Sequence, residues 1–187
     1  MNTLKDRKLA ILITIMIVIV ATALGVYKTS YSYTKKIESG FYNDAMSGGR
    51  ATCINSYLDN CASYAKGLAT MMAKYPALAD KSEALMLAQR ELLDAATITL
   101  KESANARMVE CFKALSSAAA GSVLTDERDA EALAGYSSDF YNAQRLIGQS
   151  GYNDTVTAYL DGRSPFMKIF DASIKMKTPA YFTCPTD

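Results

Sequence analysis

Residues 9–26, LAILITIMIVIVATALGV, run eighteen positions without one charged side chain. No other feature restricts the fold as much. A hydrocarbon core of ~30 Å needs about 20 apolar residues of helix, so the run sits near the lower length limit of a membrane span. The stretch that follows, YKTSYSY, puts Tyr27, Tyr31 and Tyr33 where an interfacial aromatic belt stands. A cleavable signal peptide competes with this reading. MNTLKDRK makes a fair basic leader, and Ala21-Thr22-Ala23 has the small–x–small form of a cleavage site. The apolar run nevertheless lasts through Val26 and merges with the tyrosines, which favours an uncut anchor. The expected organisation is therefore a short basic tail at 1–8, a transmembrane signal-anchor helix at 9–26 in the lipid bilayer, and a helical bundle domain at 27–187.

Basic residues do not settle the orientation. Lys5, Arg7 and Lys8 precede the span and Lys28, Lys35 and Lys36 follow it, a tie. A short tail before a long domain has the form of a single-pass signal anchor, which places the bundle outside the cytoplasm. Four cysteines agree mildly with an oxidising compartment. Over the whole chain 20 Lys and Arg balance 19 Asp and Glu, and no basic stripe stands out along the sequence. That pattern argues against a nucleic-acid partner.

Beyond the anchor, breaks at Pro76, Gly121 and the Gly162 to Pro165 turn divide the chain, and helical periodicity fills the intervals. Ile54, Cys61, Leu68 and Tyr75 recur every seven residues, with Tyr57/Leu58, Tyr64/Ala65 and Met71/Met72 between them. Leu133, Phe140 and Ile147 repeat likewise, the mark of helices packed lengthwise. The middle interval carries Leu85, Leu92, Ala96, Met108, Phe112 and Leu115. Asp80 with Glu83 three residues later reads as a capping box at its start. Thr125-Asp126-Glu127 opens the next helix with acidic residues that suit the dipole. Alternating strand patterns are lacking outside the anchor. The expectation is an all-α fold: an elongated antiparallel bundle of three long helices, a short C-terminal helix near 166–176, and one preceding transmembrane helix. Helices of about 30–45 residues span roughly 45–70 Å. Gly48-Gly49, in SGGR, marks a kink or hinge on a first helix that continues from the membrane.

The chain has no histidine, which removes the usual general base, the Ser-His and Cys-His nucleophile pairs and the commonest transition-metal ligand. It carries no phosphate-binding glycine loop, G-x-S-x-G or H-E-x-x-H. Asp126, Glu127, Asp129 and Glu131 form the densest acidic group, at a helix start where carboxylates are favoured without catalysis. Cys53, Cys61, Cys111 and Cys184 form no C-x-x-C pair, so they read as buried thiols or as members of a disulfide. Cys53 and Cys61 lie about 12 Å apart along a helix, too far to bridge each other. Cys184 returning to the first bundle helix is the easiest pairing, while Cys61 occupies a heptad core position. The Met71-Met72 and tyrosine-rich face reads as core before it reads as a ligand groove. No cofactor or metal site is expected.

Tyr-Asn occurs at Tyr42-Asn43, Tyr141-Asn142 and Tyr152-Asn153. The third pair opens YNDTVTAYLDGRSPFMKIF, and TPAYF follows at 178–182. This stretch resembles the C-terminal signature of the LemA family, a YN-x5-YN helix followed by a Phe-Pro turn, a short apolar helix and a terminal Tyr-Phe. Tyr152-Asn153 and Tyr159 stand seven apart, Ser164-Pro165-Phe166 takes the place of the turn, and Tyr181-Phe182 closes it. YPAL at 75–78 is similar to the family's link between its first two bundle helices. The chain departs from the pattern at Leu160, in the order of Pro165 and Phe166, and in lacking the paired arginines and Ile-Pro-Asn, so it resembles a divergent member. The resemblance implies a bacterial cell-envelope bundle with no established enzymatic activity. It acts through protein partners, a second copy of itself among the arrangements allowed. Tyr152, Asn153, Tyr159, Pro165, Phe166, Tyr181 and Phe182 are the expected packing or interaction motif. An envelope sensor that works with a separate signalling partner is the alternative.

Overall fold

The computed structural model describes residues 2–43, 53–121, 124, 126–173 and 176–185. Seven α-helices are described: α1 (Asn2–Tyr42), α2 (Ile54–Met72), α3 (Ala79–Asp94), α4 (Ile98–Gly121), α5 (Glu127–Gly148), α6 (Tyr152–Asp161) and α7 (Pro165–Ser173). A 3-10 turn at Pro76–Leu78 leads into α3. No strand occurs among the described residues. Two compact units divide the chain: Met1–Ile37 with Gly162–Pro179, and Glu38–Asp161 with Ala180–Asp187.

The first unit is built on α1. Its most apolar stretch of eighteen residues has a mean hydropathy of 2.9, and none of it is buried. A helix apolar on every side and covered by no other part of the protein is long and apolar enough to cross a membrane. Its hydroxyls do not oppose that: Thr14, Thr22 and Thr29 donate to the carbonyls of Ala10, Val18 and Gly25 at 2.8–2.9 Å. Beyond that apolar stretch Tyr27 stacks on Tyr31 at 6.2 Å, and the Lys35 ammonium lies 5.0 Å from the Tyr31 ring centre. In the same unit α7 starts with Pro165 at its first position. The Ser164 hydroxyl accepts from the Met167 N–H at 3.3 Å, a serine cap with proline behind it. Arg163 reaches Ser30 at 3.5 Å and Thr34 donates to the Lys177 carbonyl at 3.4 Å, so both flanks of α7 are tied to α1.

In the second unit α2, α3, α4 and α5 pack in antiparallel neighbours. On α2 and α5 the partners run in opposite senses: Cys61 meets Phe140, Gly67 meets Tyr136 and Lys74 meets Asp129. Asn105 and Gln144 join α4 to α5, and Arg107 pairs with both oxygens of Glu91 between α4 and α3. The heptad positions Ile54, Cys61, Leu68, Leu133, Phe140 and Ile147 are buried, while Tyr75, the last of the first series, is half-buried. Phe112 and Phe140 stack nearly parallel at 3.8 Å, completely enclosed. At Gly67 a β-carbon would stand 2.6 Å from the Tyr136 ring, so the missing side chain is what lets that ring lie against α2.

The structure departs from the sequence expectation at three places. The interval expected as one helix after Pro76 is two, because Ala95 is extended (φ −65°, ψ 115°) and the Thr97 hydroxyl accepts from the Leu100 N–H at 3.2 Å, capping α4. Ala96 therefore lies exposed in the link and not in the core. The next interval is also two helices, since Gly151 turns the chain at φ 70°, a left-handed conformation, between α5 and α6. The expected capping box at Asp80 and Glu83 is absent. Leu78 stands at the N-cap with no side-chain cap bond, and Asp80 lies inside the first turn. Leu78 is 3 % exposed: burying it at the end of the 3-10 turn fixes the helix start where a cap was expected to do so. The acidic first turn expected at α5 is present as Glu127 and Asp129, and Asp126 in addition caps the helix, its carboxylate accepting from the Arg128 N–H at 3.0 Å. Residues 27–42 are helical in continuity with the apolar stretch, and the Gly48-Gly49 hinge expectation lies outside the described residues.

Candidate functional site

The C-terminal segment crosses the second unit as an extended strap. Its contacts are made by residues the sequence motif singled out. The Tyr152 hydroxyl donates to the Ala180 carbonyl at 2.9 Å. The Asn153 amide then grips the backbone of Phe182 from both sides: its Nδ2 donates to the Phe182 carbonyl at 2.7 Å, and its Oδ1 accepts the Phe182 N–H at 3.0 Å. This is how one strand edge pairs with another, performed by a side chain. Phe182 is 2 % exposed and packs 5.3 Å from the Phe41 ring, which also meets Tyr152 edge-on at 5.6 Å. Tyr181 faces out, with its hydroxyl 3.4 Å from Thr157. Burial raises the Tyr152 hydroxyl above its ordinary pKa, with the Glu38 and Tyr42 charges adding to the effect.

Beyond Phe182 the strap reaches the bundle. The Thr183 N–H donates to Glu102 on α4 at 3.0 Å, and the Cys184 thiol contacts the Gln144 carbonyl on α5 at 3.6 Å. Gln144 belongs to a buried polar cluster. Asn105 Nδ2 donates to Gln144 Oε1 at 3.1 Å, Gln144 Nε2 donates back to Asn105 Oδ1 at 2.8 Å, and the same Nε2 approaches the Cys61 sulfur at 3.4 Å. The Cys61 thiol in turn lies 3.9 Å from the Phe140 carbonyl. All four cysteines carry free thiols, Cys53 and Cys61 buried, Cys111 and Cys184 half-buried. Burial pushes Cys61 up to about 12, against a smaller opposing effect of the Gln144 bond. Burial likewise pushes Cys184 up to about 11, helped by Glu102, and raises Cys111. These shifts run opposite to what a nucleophilic thiol needs, which is a stabilised thiolate.

The acidic group at the start of α5 is divided by the fold. Asp129 is almost fully buried and accepts from the Tyr75 hydroxyl while pairing with Lys74. Lys74 first, then Tyr75, holds its carboxyl below the ordinary range, and the Lys74 ammonium is raised by the same bond. The pair ties the link after α2 to the first turn of α5. Asp126 caps that helix, and Glu127 and Glu131 face solvent. Among the described residues no group of three or more His, Cys, Asp or Glu is placed to hold a metal ion. An open groove of about 480 Å³ runs between α3 and α4 past Glu91, Asp94 and Arg107, and one of about 330 Å³ lies between α4 and the strap at Glu102 and Thr183.

Of the sequence-selected motif, the fold unites Tyr152, Asn153, Tyr181 and Phe182. Tyr159 is half-buried one heptad further along α6. Pro165 and Phe166 open α7 in the other unit, Pro165 exposed and the Phe166 side chain outside the described set. Sequence reasoning passed over Phe41, fully buried at the hub of the aromatic cluster, although it directly precedes the Tyr42-Asn43 pair. It also passed over Asn105 and Gln144. Each stands at core spacing among apolar residues (105, 108, 112 and 140, 144, 147), and that intrusion of an amide into an apolar stripe is a readable signal.

Fold and site together define an all-helical protein with one N-terminal helix fit to cross a membrane and a bundle locked by its own C-terminal strap. No family model matches the chain, and no curated protein or solved structure matches it.

Proposed function

We propose that the chain is a single-pass, membrane-anchored bundle protein of the cell envelope, a divergent relative of the LemA family, which acts by binding or scaffolding and not by catalysis. One observation carries the reading: α1 presents an unburied apolar stretch and continues as the same helix to Tyr42. The chemistry of the site supports it, because Tyr152 and Asn153 bind the strap at Ala180 and Phe182, and burial raises the Cys61 and Cys184 thiols. The exposed leucines Leu87, Leu93 and Leu100, 48–53 % accessible, are the first surface to probe for a protein partner.

Alkaline carbonate extraction of membranes from expressing cells tests the anchor: the full-length chain is expected in the pellet, and its release to the supernatant would overturn the proposal. A photo-cross-linking residue at position 87 or 100 tests the scaffolding role. The expected product is a discrete adduct of the chain with one protein. Equal labelling of many species would count against a specific partner. Cys184 is a poor handle for topology labelling, being half-buried and protonated; Ser138, exposed on α5, replaced by Cys serves better.

A further inference from the structure

The near-neutral balance of the chain conceals a segregation of charge. The unit formed by Met1–Ile37 and Gly162–Pro179 holds ten Lys and Arg against two Asp. The other unit holds ten against seventeen acidic residues. Seven of the first unit's cations (Lys28, Lys35, Lys36, Arg163, Lys168, Lys175 and Lys177) follow the apolar run in the sequence, with Asp171 within the unit's segments and Glu38 directly after the first of them. The fold brings Arg163 and Lys177 to a definite level on α1. Ser30, which Arg163 reaches, lies four residues past Val26, about 6 Å along the helix; Thr34, bonded to the Lys177 carbonyl, lies about 12 Å along. A headgroup layer is about 5–8 Å thick on each side of the hydrocarbon. Both ends of the α7 segment are therefore pinned at or just above headgroup depth.

Two further observations say what covers this surface. Phe166, Ile169 and Phe170 recur in α7 at i, i+3 and i+4, and Ile169 is 68 % exposed, as bare as the residues of the span at 49–64 %. On α1, Lys28, Ser32 and Lys36 follow one another at four-residue spacing. With Thr29 and Tyr33 they line a groove of about 440 Å³, a cationic and hydroxyl-rich lining suited to a phosphate. We propose that this unit makes a second membrane contact, with α7 lying in the interface beside the span and the Lys28–Ser32–Lys36 groove holding the phosphate of an anionic phospholipid. The inference rests on α1 being a membrane span.

The chain contains no tryptophan, so one introduced indole is a unique reporter. The full-length protein carrying Ile169→Trp is reconstituted in phosphatidylcholine vesicles with about 30 mol% phosphatidylglycerol, the acyl chains of one or other lipid being brominated as contact quenchers. Leu12→Trp, within the span, is the parallel control. The expected result is quenching of both indoles, with Ile169→Trp quenched about twofold more when phosphatidylglycerol carries the bromine than when phosphatidylcholine does at equal mole fraction. Lys28→Gln with Lys36→Gln should abolish that excess and leave the Leu12→Trp signal unchanged. Quenching at position 12 but not at 169 overturns the inference and leaves the anchor standing; quenching at neither overturns both. Equal quenching by the two lipids overturns the selection of an anionic headgroup, because phosphatidylcholine carries the same phosphodiester, and an excess that survives Lys28→Gln with Lys36→Gln overturns the groove as its seat.

Discussion

Asn153 supplies, from one side chain, a donor and an acceptor to the backbone of Phe182, and no other natural side chain of its length offers both in that geometry. Asn153→Ala leaves two partly buried backbone groups unpaired and is expected to cost about 2 kcal/mol, roughly 4–8 °C in Tm for a chain of this size. A melting temperature within 1 °C of the parent in this variant would remove the strap from any account of stability. The reciprocal amides of Asn105 and Gln144 give a sharper test, because their desolvation penalties are linked. Asn105→Leu or Gln144→Leu alone strands the other amide in the core, at about 2–3 kcal/mol each. The double replacement strands neither, and it is expected to lie within about 1 kcal/mol of the parent. Additive losses in denaturant melts would show that the amides act independently.

The helices start and stop by local devices of unequal visibility. Thr97 and Asp126 cap α4 and α5 through their side-chain oxygens. Thr97→Ala and Asp126→Ala should each cost about 1 kcal/mol. Hydrogen exchange should accelerate first at the Leu100 and Arg128 amides respectively, and unchanged protection there would contradict the capping assignment. The start of α5 was legible because acidic residues precede a clean apolar repeat. The α4 cap was not. Ala95-Ala96-Thr97-Ile98 carries no Gly or Pro to mark a stop, and the break depends on α4 folding back on α3, with Arg107 bound to Glu91 and Lys101 to the Leu92 carbonyl. The turn at Gly151 was announced by GQSG, but the heptad repeat through Ile147 masked it. At α3, burial of Leu78 overrode a good local capping pattern, a tertiary override of a local preference.

Across the bundle, the Lys74–Asp129–Tyr75 tie sets a direction for the response to acid. The Asp129 carboxyl is lowered in the folded state, so its contribution is complete above the unfolded value of about 3.9 and is lost as pH falls through the folded one. Thermal stability should therefore hold from pH 7 to about 5 and decline below about 4, and Asp129→Asn should flatten that decline. An acid limb unchanged in Asp129→Asn would place the titrating groups elsewhere. The alkaline side has the opposite sign: Lys74 and Cys61 are both raised, so their contributions are complete below the unfolded values of about 10.4 and about 8.5 and are lost as pH rises through the folded ones.

By itself the sequence determined the helical class, the apolar N-terminal helix and most of the buried heptad positions, because periodicity and hydropathy are properties of neighbouring residues. Tertiary structure alone decided where the long intervals break, which amides face each other, and that near-neutral composition separates into a basic unit and an acidic one. Those outcomes depend on which distant segments meet: residues 162–179 join α1, and 180–185 join the bundle, a choice made by packing between parts of the chain more than a hundred residues apart.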